Sequence, residues 1–203
     1  MSTKALLVAW LITNAFNAFS QGKKLPITET IGTNKTTVFL GYELGEMAFN
    51  NFQNFSGEFG LKFKNDNQLR FVYQNVKLSE KHLSSNFARN VDGENIRGLM
   101  KSYEVFYDYQ LLKNIYFGAS VGYANDYYEH TTLAESVSNL SPTVGFSPSY
   151  RETDIFKIKG LYFHLAVPFR YYFAPLEETQ LGNSKVNKHL LVNNIWFFIG
   201  FQF

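Results

Sequence analysis

The chain contains no cysteine. That excludes a disulfide framework, thiolate metal sites and a Cys for lipid attachment. It also lacks any run of about 18 continuous apolar residues, so no segment reads as a membrane helix. Its four histidines, His82, His130, His164 and His189, form no metal-ligand spacing with one another. No motif calls for a metal or a cofactor. Charge of one sign is lacking too: 19 Lys and Arg face 17 Asp and Glu, a net of +2 that is too small and scattered to point to nucleic acid. What the chain has instead is aromatics, 21 Phe and 13 Tyr. Many aromatics without a helical span is the composition of a strand-built membrane wall, where half of each strand faces inward.

The pattern along the chain is period two. Phe55, Gly57, Phe59, Leu61 and Phe63 alternate with Ser56, Glu58, Gly60, Lys62 and Lys64. Leu69, Phe71 and Tyr73 alternate with Arg70, Val72 and Gln74, and Tyr103 to Tyr109 with Ser102 to Gln110. Ile115 to Tyr123 and Leu161 to Tyr171 repeat the pattern. A less regular first strand near 35–49 sets Val38, Leu40 and Tyr42 against Gly41 and Glu43. With the last nine residues the count is seven, and a single-chain barrel with both ends on one side needs an even number. The segment Leu140 to Thr153 supplies the eighth, with Pro142, Val144, Phe146, Pro148 and Tyr150 on one face. The connections at 65–67, 111–114 and 156–160 read as short turns. Those at 80–95, 131–139 and 175–187 read as long polar loops, and the one at 50–54 as short. Pro148 and Pro168 cannot donate to a ladder, so a bulge or a frayed upper region is expected there.

The chain ends Ile195-Trp196-Phe197-Phe198-Ile199-Gly200-Phe201-Gln202-Phe203. Ile195, Phe197, Ile199, Phe201 and Phe203 form a wholly apolar face. This ending resembles the closing strand of bacterial outer-membrane β-barrels, which finish on Phe with another aromatic two residues earlier. The whole pattern resembles the small eight-stranded OmpA/OmpX-like barrel class. The resemblance implies an all-β fold, a closed antiparallel transmembrane barrel of eight strands with short periplasmic turns and longer extracellular loops. It also implies an outer-membrane protein in contact with outer-membrane lipid, with Phe201 and Phe203 as the signal read by the barrel assembly machinery. A lipocalin-like soluble barrel would reverse the faces, but its exterior should then be dense in Lys and Glu. The polar face here is mostly Gly, Ser, Ala and Gln.

At the other end, Lys4, the apolar run Ala5 to Ile12 and the site Ala18-Phe19-Ser20 read as a signal peptide cleaved before Gln21. The expected organisation is signal peptide 1–20, periplasmic segment 21–34 and outer-membrane barrel 35–203.

The inward face carries Glu43, Glu58, Glu104 and Asp108 together with Lys62, Arg70, Arg151 and Arg170. Eight strands leave a lumen that side chains just fill, and charges held there must pair. A structural ion-pair core is expected ahead of a narrow conduit for a hydrophobic solute. His164 should face this lumen, with Glu104 or Asp108 to satisfy it. Small outer-membrane barrels that modify lipid use Ser, His and acidic residues near the outer rim. Asp126, His130 and Ser136 lie close in sequence there, a spacing that polar loops also produce by chance. The functional expectation is a structural or surface-interaction role, with a lipid-modifying enzyme or conduit as the alternative and any extracellular loop partner unspecified.

Overall fold

A computed structural model describes residues 35–45, 55–84 and 90–203. The expected signal peptide, the 21–34 segment and the 50–54 connection lie outside these residues. The described strands are β1 (Thr37–Glu43), β2 (Gly57–Lys62), β3 (Gln68–Leu78), β4 (Val91–Asp92), β5 (Ile96–Leu112), β6 (Ile115–His130), β7 (Ser136–Thr153), β8 (Leu161–Ala166), β9 (Phe169–Tyr172), β10 (Thr179–Leu181), β11 (Ser184–Val186), β12 (Leu191–Asn193) and β13 (Trp196–Gln202). A single helical turn, α1 (Glu80–Leu83), follows β3.

The wall is a closed antiparallel barrel of eight strands. β1, β2, β3, β5, β6 and β7 supply six; β8 with β9 makes the seventh and β12 with β13 the eighth, which pairs back onto β1. Asp66 and Asn114 adopt left-handed φ of 63° and 65° in the short turns after β2 and β5, a conformation that Asn and Asp tolerate because they bond locally.

Pro148 and Pro168 interrupt hydrogen bonding without a bulge. Ser149 pairs with Ala166 and Phe146 with Phe169, so β7 holds one register across the break between β8 and β9. The eighth strand does the same: Trp196 pairs with Ala166 and Asn193 with Phe169. The carbonyls still work, Pro148 accepting from Val167 N–H at 3.0 Å and Pro168 from Asn194 N–H at 3.2 Å. The register shift that does occur lies elsewhere, at Gln110/Leu112. A second correction concerns the connection at 131–139. β7 begins at Ser136 and Glu129 pairs with it, so only 131–135 is a turn.

The stagger of the wall follows from its pairings. Starting at Gln202, hydrogen-bonded neighbours run through Phe39, Gly60, Arg70, Phe106, Ser120, Gly145 and Arg170 to Val192, ten residues from the start on the same barrel strand. Ten residues of about 3.3 Å against eight strand spacings of about 4.8 Å tilt the strands by roughly 40°. Every residue on that path points inward.

Outside, the apolar face is exposed: Leu40, Phe59, Phe71, Val105, Phe117, Val121, Phe146 and Phe201 all project from the wall. Stacked rings run across it, Phe117 on Phe146 and Phe146 on Phe169, with centroids 5.8 and 4.9 Å apart. Toward the long-loop end a row of rings, Tyr42, Phe55, Tyr73 and Tyr103, continues from strand to strand at 5.8, 6.2 and 5.1 Å.

The two loops expected at 80–95 and 175–187 are not featureless. They contribute β4, β10 and β11, which form a separate three-stranded sheet in the order β10-β11-β4. Val91 and Leu181 and Val186 of this sheet, with Leu83 of α1, pack onto Val76, Leu78, Ile96, Met100 and Tyr128 from the inner wall. An apolar cap therefore fills the long-loop end of the barrel.

Candidate functional site: the barrel lumen and its cap

The inner face of β3 reads Gln68, Arg70, Val72, Gln74, Val76, Leu78, all buried. β5 runs the opposite way and matches it, from Ile96 and Met100 at the cap to Ser102, Glu104, Phe106 and Asp108. Along β3 and β5 the lumen thus changes from charged near the short turns to apolar under the cap, with Asp126 of β6 opposite Met100 at that level.

At the charged level Arg70 is the hub. Its Nε and Nη2 donate to the two carboxylate oxygens of Asp108 at 2.8 and 3.1 Å, a two-pronged pair, and Nη1 donates to Glu58 Oε2 at 3.4 Å. The guanidinium lies 4.3 Å from the Phe106 ring centroid. Glu58 is the matching anionic hub: Tyr162 OH donates to Oε1 at 2.9 Å, and His164 Nδ1 lies 2.9 Å from Oε2. His164 therefore does face the lumen, but its partner is Glu58 rather than Glu104 or Asp108. Nearer the short turns, Arg151 packs against the Phe39 and Tyr162 rings, 3.9 and 3.7 Å from their centroids. It donates to Gln68 Oε1 at 2.8 Å and to Gln202 Oε1 at 3.5 Å. The two rings stand edge to face, 5.9 Å apart, and the guanidinium sits close to both while its N–H groups donate.

Closer to the cap, Arg170 Nη1 stands 3.2 Å from Glu104 Oε1, and Ser120 Oγ donates to Glu104 Oε2 at 3.3 Å. Asn194, with its amide turned to suit its neighbours, accepts from Arg170 Nη2 at 2.6 Å. Two of the expected members stand apart. Glu43 Oε1 accepts backbone N–H groups from Gly45 and Phe197 at 2.8 and 3.1 Å, tying the end of β1 to β13. Lys62 pairs with Asp66 at 2.9 Å beside the first short turn.

Glycine makes room for these bulky groups. A Cβ on Gly118 would run into Asp108 Oδ1, and one on Gly60 into the Phe39 ring. Arg70, Arg151 and Arg170 are all fully buried, with Trp196, Phe198 and Phe106 among them. Trp196 and Phe198 lie edge-on at 5.9 Å. The many small residues of the polar face hide this aromatic filling in the sequence, although Phe39, Phe106, Tyr162 and Trp196 sit on the inner parity of their strands.

The rim residues do not assemble. Asp126 and His130 lie on the inner parity of β6, whereas Ser136 pairs with Glu129 and shares its outward face. His130 Nδ1 is engaged by the N–H groups of Thr132 and Leu133 at 3.3 and 3.2 Å. One further pattern, Gly118-Ala119-Ser120-Val121-Gly122, has the Gly-x-Ser-x-Gly spacing of a hydrolase nucleophile. It runs straight through the middle of β6 rather than round a strand-to-helix turn, and Ser120 is buried against Glu104.

The cap is held by named contacts. Val186 pairs with Val91 and Lys185 with Asp92. Ser184 Oγ donates to Glu94 O at 2.6 Å, and Asn187 N donates to Asn90 O at 2.9 Å. Glu135, in the turn between β6 and β7, accepts from Gly182 N–H at 2.6 Å, so that hairpin tip also grips the small sheet.

No protein-family model matches the chain, and no curated protein matches it. Solved structures similar to it include Ail, the attachment invasion locus protein of Yersinia pestis, in complex with the heparin analogue sucrose octasulfate. That likeness has 13% identity and a TM-score of 0.40 over 83% of this chain and 97% of that one. A second structure of Ail gives 15% identity and 0.36 over the same shares. A major outer membrane protein from Thermus thermophilus gives 13% and 0.39, over 83% and 98%.

Proposed function

We propose that the chain is an integral outer-membrane barrel with a structural or surface-interaction role, its lumen sealed by its own side chains. The observation that carries this reading is the division of the wall. Phe, Leu, Val and Tyr cover the exposed exterior, while Arg70, Arg151 and Arg170, four buried acids and their aromatic partners fill the interior. An exterior of this kind suits hydrocarbon and not water, and a soluble binder would have its faces reversed. The leader, cleaved before Gln21, would send the chain to the periplasm, and the assembly machinery would read Phe201 and Phe203 on the closing strand.

A sealed lumen has a direct test. The refolded protein should show heat-modifiable gel migration in lipid vesicles, the mark of a closed barrel. In planar bilayers it should give at most small, rare openings. A large, steady conductance would overturn the sealed-lumen reading and restore the conduit.

A further inference from the structure

The cap does not meet the wall everywhere. Between them lies a small cavity, lined on the wall side by Asp126 and Tyr128 of β6 and Tyr172 of β9, all on the inner parity of their strands. Asn90 and Asn187 line it on the cap side, joined by the hydrogen bond from Asn187 N to Asn90 O. Leu78, Met100 and Leu176 make the rest of it apolar, beside the His189 ring.

Asp126 is the acid that the lumen's cations leave over. Among the described residues, Glu58 and Asp108 share Arg70, Glu104 faces Arg170, and Glu43 is held by backbone N–H groups. Arg170 is the one cation among them that acts on Asp126, and it already stands 3.2 Å from Glu104 Oε1 and donates to Asn194. Even with His164 counted beside Arg70, Arg151 and Arg170, these five carboxylates outnumber the cations. A carboxylate set among rings and apolar side chains is poorly solvated, and a cation brought to it is favoured.

The lining selects the kind of cation. One carboxylate and one histidine are too few ligands for calcium or zinc, and no group of three His, Cys, Asp or Glu able to hold a metal occurs among the described residues. Tyr128 and Tyr172 instead offer ring faces to an organic cation, and amide and phenol oxygens accept its N–H groups. The cavity's free volume of about 30 Å³ is roughly twice what one buried water needs. That suits an ammonium head on a short alkyl stem, and not an ion that keeps its hydration shell.

We infer that the cavity between cap and wall binds a small primary ammonium ion, its N–H groups donating to the Asp126 carboxylate and its stem lying among Leu78, Met100 and Leu176. The lining is inside the wall, so the amine comes from solution on the long-loop side and not from membrane lipid. Such a ligand ties the wall to the cap, because Asp126 belongs to β6 while Asn90 and Asn187 belong to the two loops that build the small sheet.

The test titrates the full barrel in maltoside micelles with n-propylammonium chloride, and with 1-propanol and sodium propionate as its neutral and anionic matches, at constant ionic strength. Backbone amide NMR shifts are read. Propylammonium should shift Asp126, Tyr128, Tyr172 and Asn187 saturably in the millimolar range, within what so small a ligand can supply. The two matches should not. Asp126→Asn keeps the shape without the charge and should weaken binding about tenfold or more. Glu178→Gln removes an exposed carboxylate of the loop after β9 and should leave the affinity within about twofold. A second measurement needs only the parent: with the amine at about ten times its Kd, hydrogen exchange at Asn187 N–H should slow about tenfold, because the occupied cap opens less often. Shifts that grow linearly without saturating, equal shifts from propanol, or undiminished binding by Asp126→Asn would overturn the inference. Heat-modifiable migration is read on the same samples. If the parent shows none, the barrel reading falls; if it migrates as a closed barrel and ignores the amine, only the amine site falls.

Discussion

Arg70→Ala removes the cation at the centre of the lumen. The side chain makes two charge-assisted hydrogen bonds to Asp108 and one to Glu58, and it covers the face of Phe106. Its loss leaves Asp108 buried without its arginine and takes one of the partners of Glu58, in a place where neither carboxylate reaches water. Breaking one side of a buried ion pair costs about 3–5 kcal/mol. Three hydrogen bonds to charged groups at about 1.5–3 kcal/mol each bracket that range from above, because part of each is recovered as the site relaxes. The assay is urea unfolding of the vesicle-embedded barrel, followed through Trp196, whose ring centroid lies 5.8 Å from that of Phe106, and checked by gel mobility. A companion variant makes the reasoning sharper. Asp108→Asn removes the orphaned charge, so Arg70→Ala with Asp108→Asn should lose distinctly less than the two single losses combined. A loss below about 1 kcal/mol for Arg70→Ala, or simple additivity in the double variant, would show that the ion pair is not what holds the lumen together.

Phe117→Arg, on the exposed face of β6, should cost about 2–4 kcal/mol in the same unfolding assay; a neutral result there would put that face in water. Gly118→Val, one residue along and on the inner face, should act by a different route. Its side chain displaces the Asp108 carboxylate, so the loss should be much smaller when Asp108 is already Ala, and equal losses in both backgrounds would refute the clash. Phe203→Asp should lower the amount of protein in outer-membrane fractions while leaving export intact. Parent-like membrane levels would remove the closing strand from any role in assembly.

The sequence carried the wall well because the wall is governed by parity. Residues such as Phe117, Ala119 and Val121 alternate with Gly118, Ser120 and Gly122, and that alternation needs no knowledge of any other strand. Even β7, with its two prolines, could be reached by requiring an even count. The partners inside the lumen needed more. His164 and Glu58 are 106 positions apart and meet only because the wall is staggered by ten residues. Parity shows that both point inward but says nothing of their height. The start of β7 reads as loop because Ser136, Ser138 and Asn139 leave Val137 as its one apolar residue, and the outer face of a strand turns polar once it rises above the apolar belt. The cap escaped notice for a related reason. β4, β10 and β11 have two or three residues each, too short for any period, and Val91 and Val186 become neighbours only through the closed barrel.

The small sheet over the mouth has a bearing on how the molecule is made. Hairpins such as β2–β3, β5–β6 and β6–β7 join residues close along the chain and can form early. Two pairings are of another kind: Phe39 with Gln202, which is the seam of the wall, and Val91 with Val186, which ties the loop after β3 to the loop after β9. Contacts of such long sequence separation are the slow part of acquiring a fold. Closing the first brings together the two sides of the mouth that the second spans. The cap thus acts as a latch across the finished ring, and it opposes the seam's reopening from the long-loop end of the molecule.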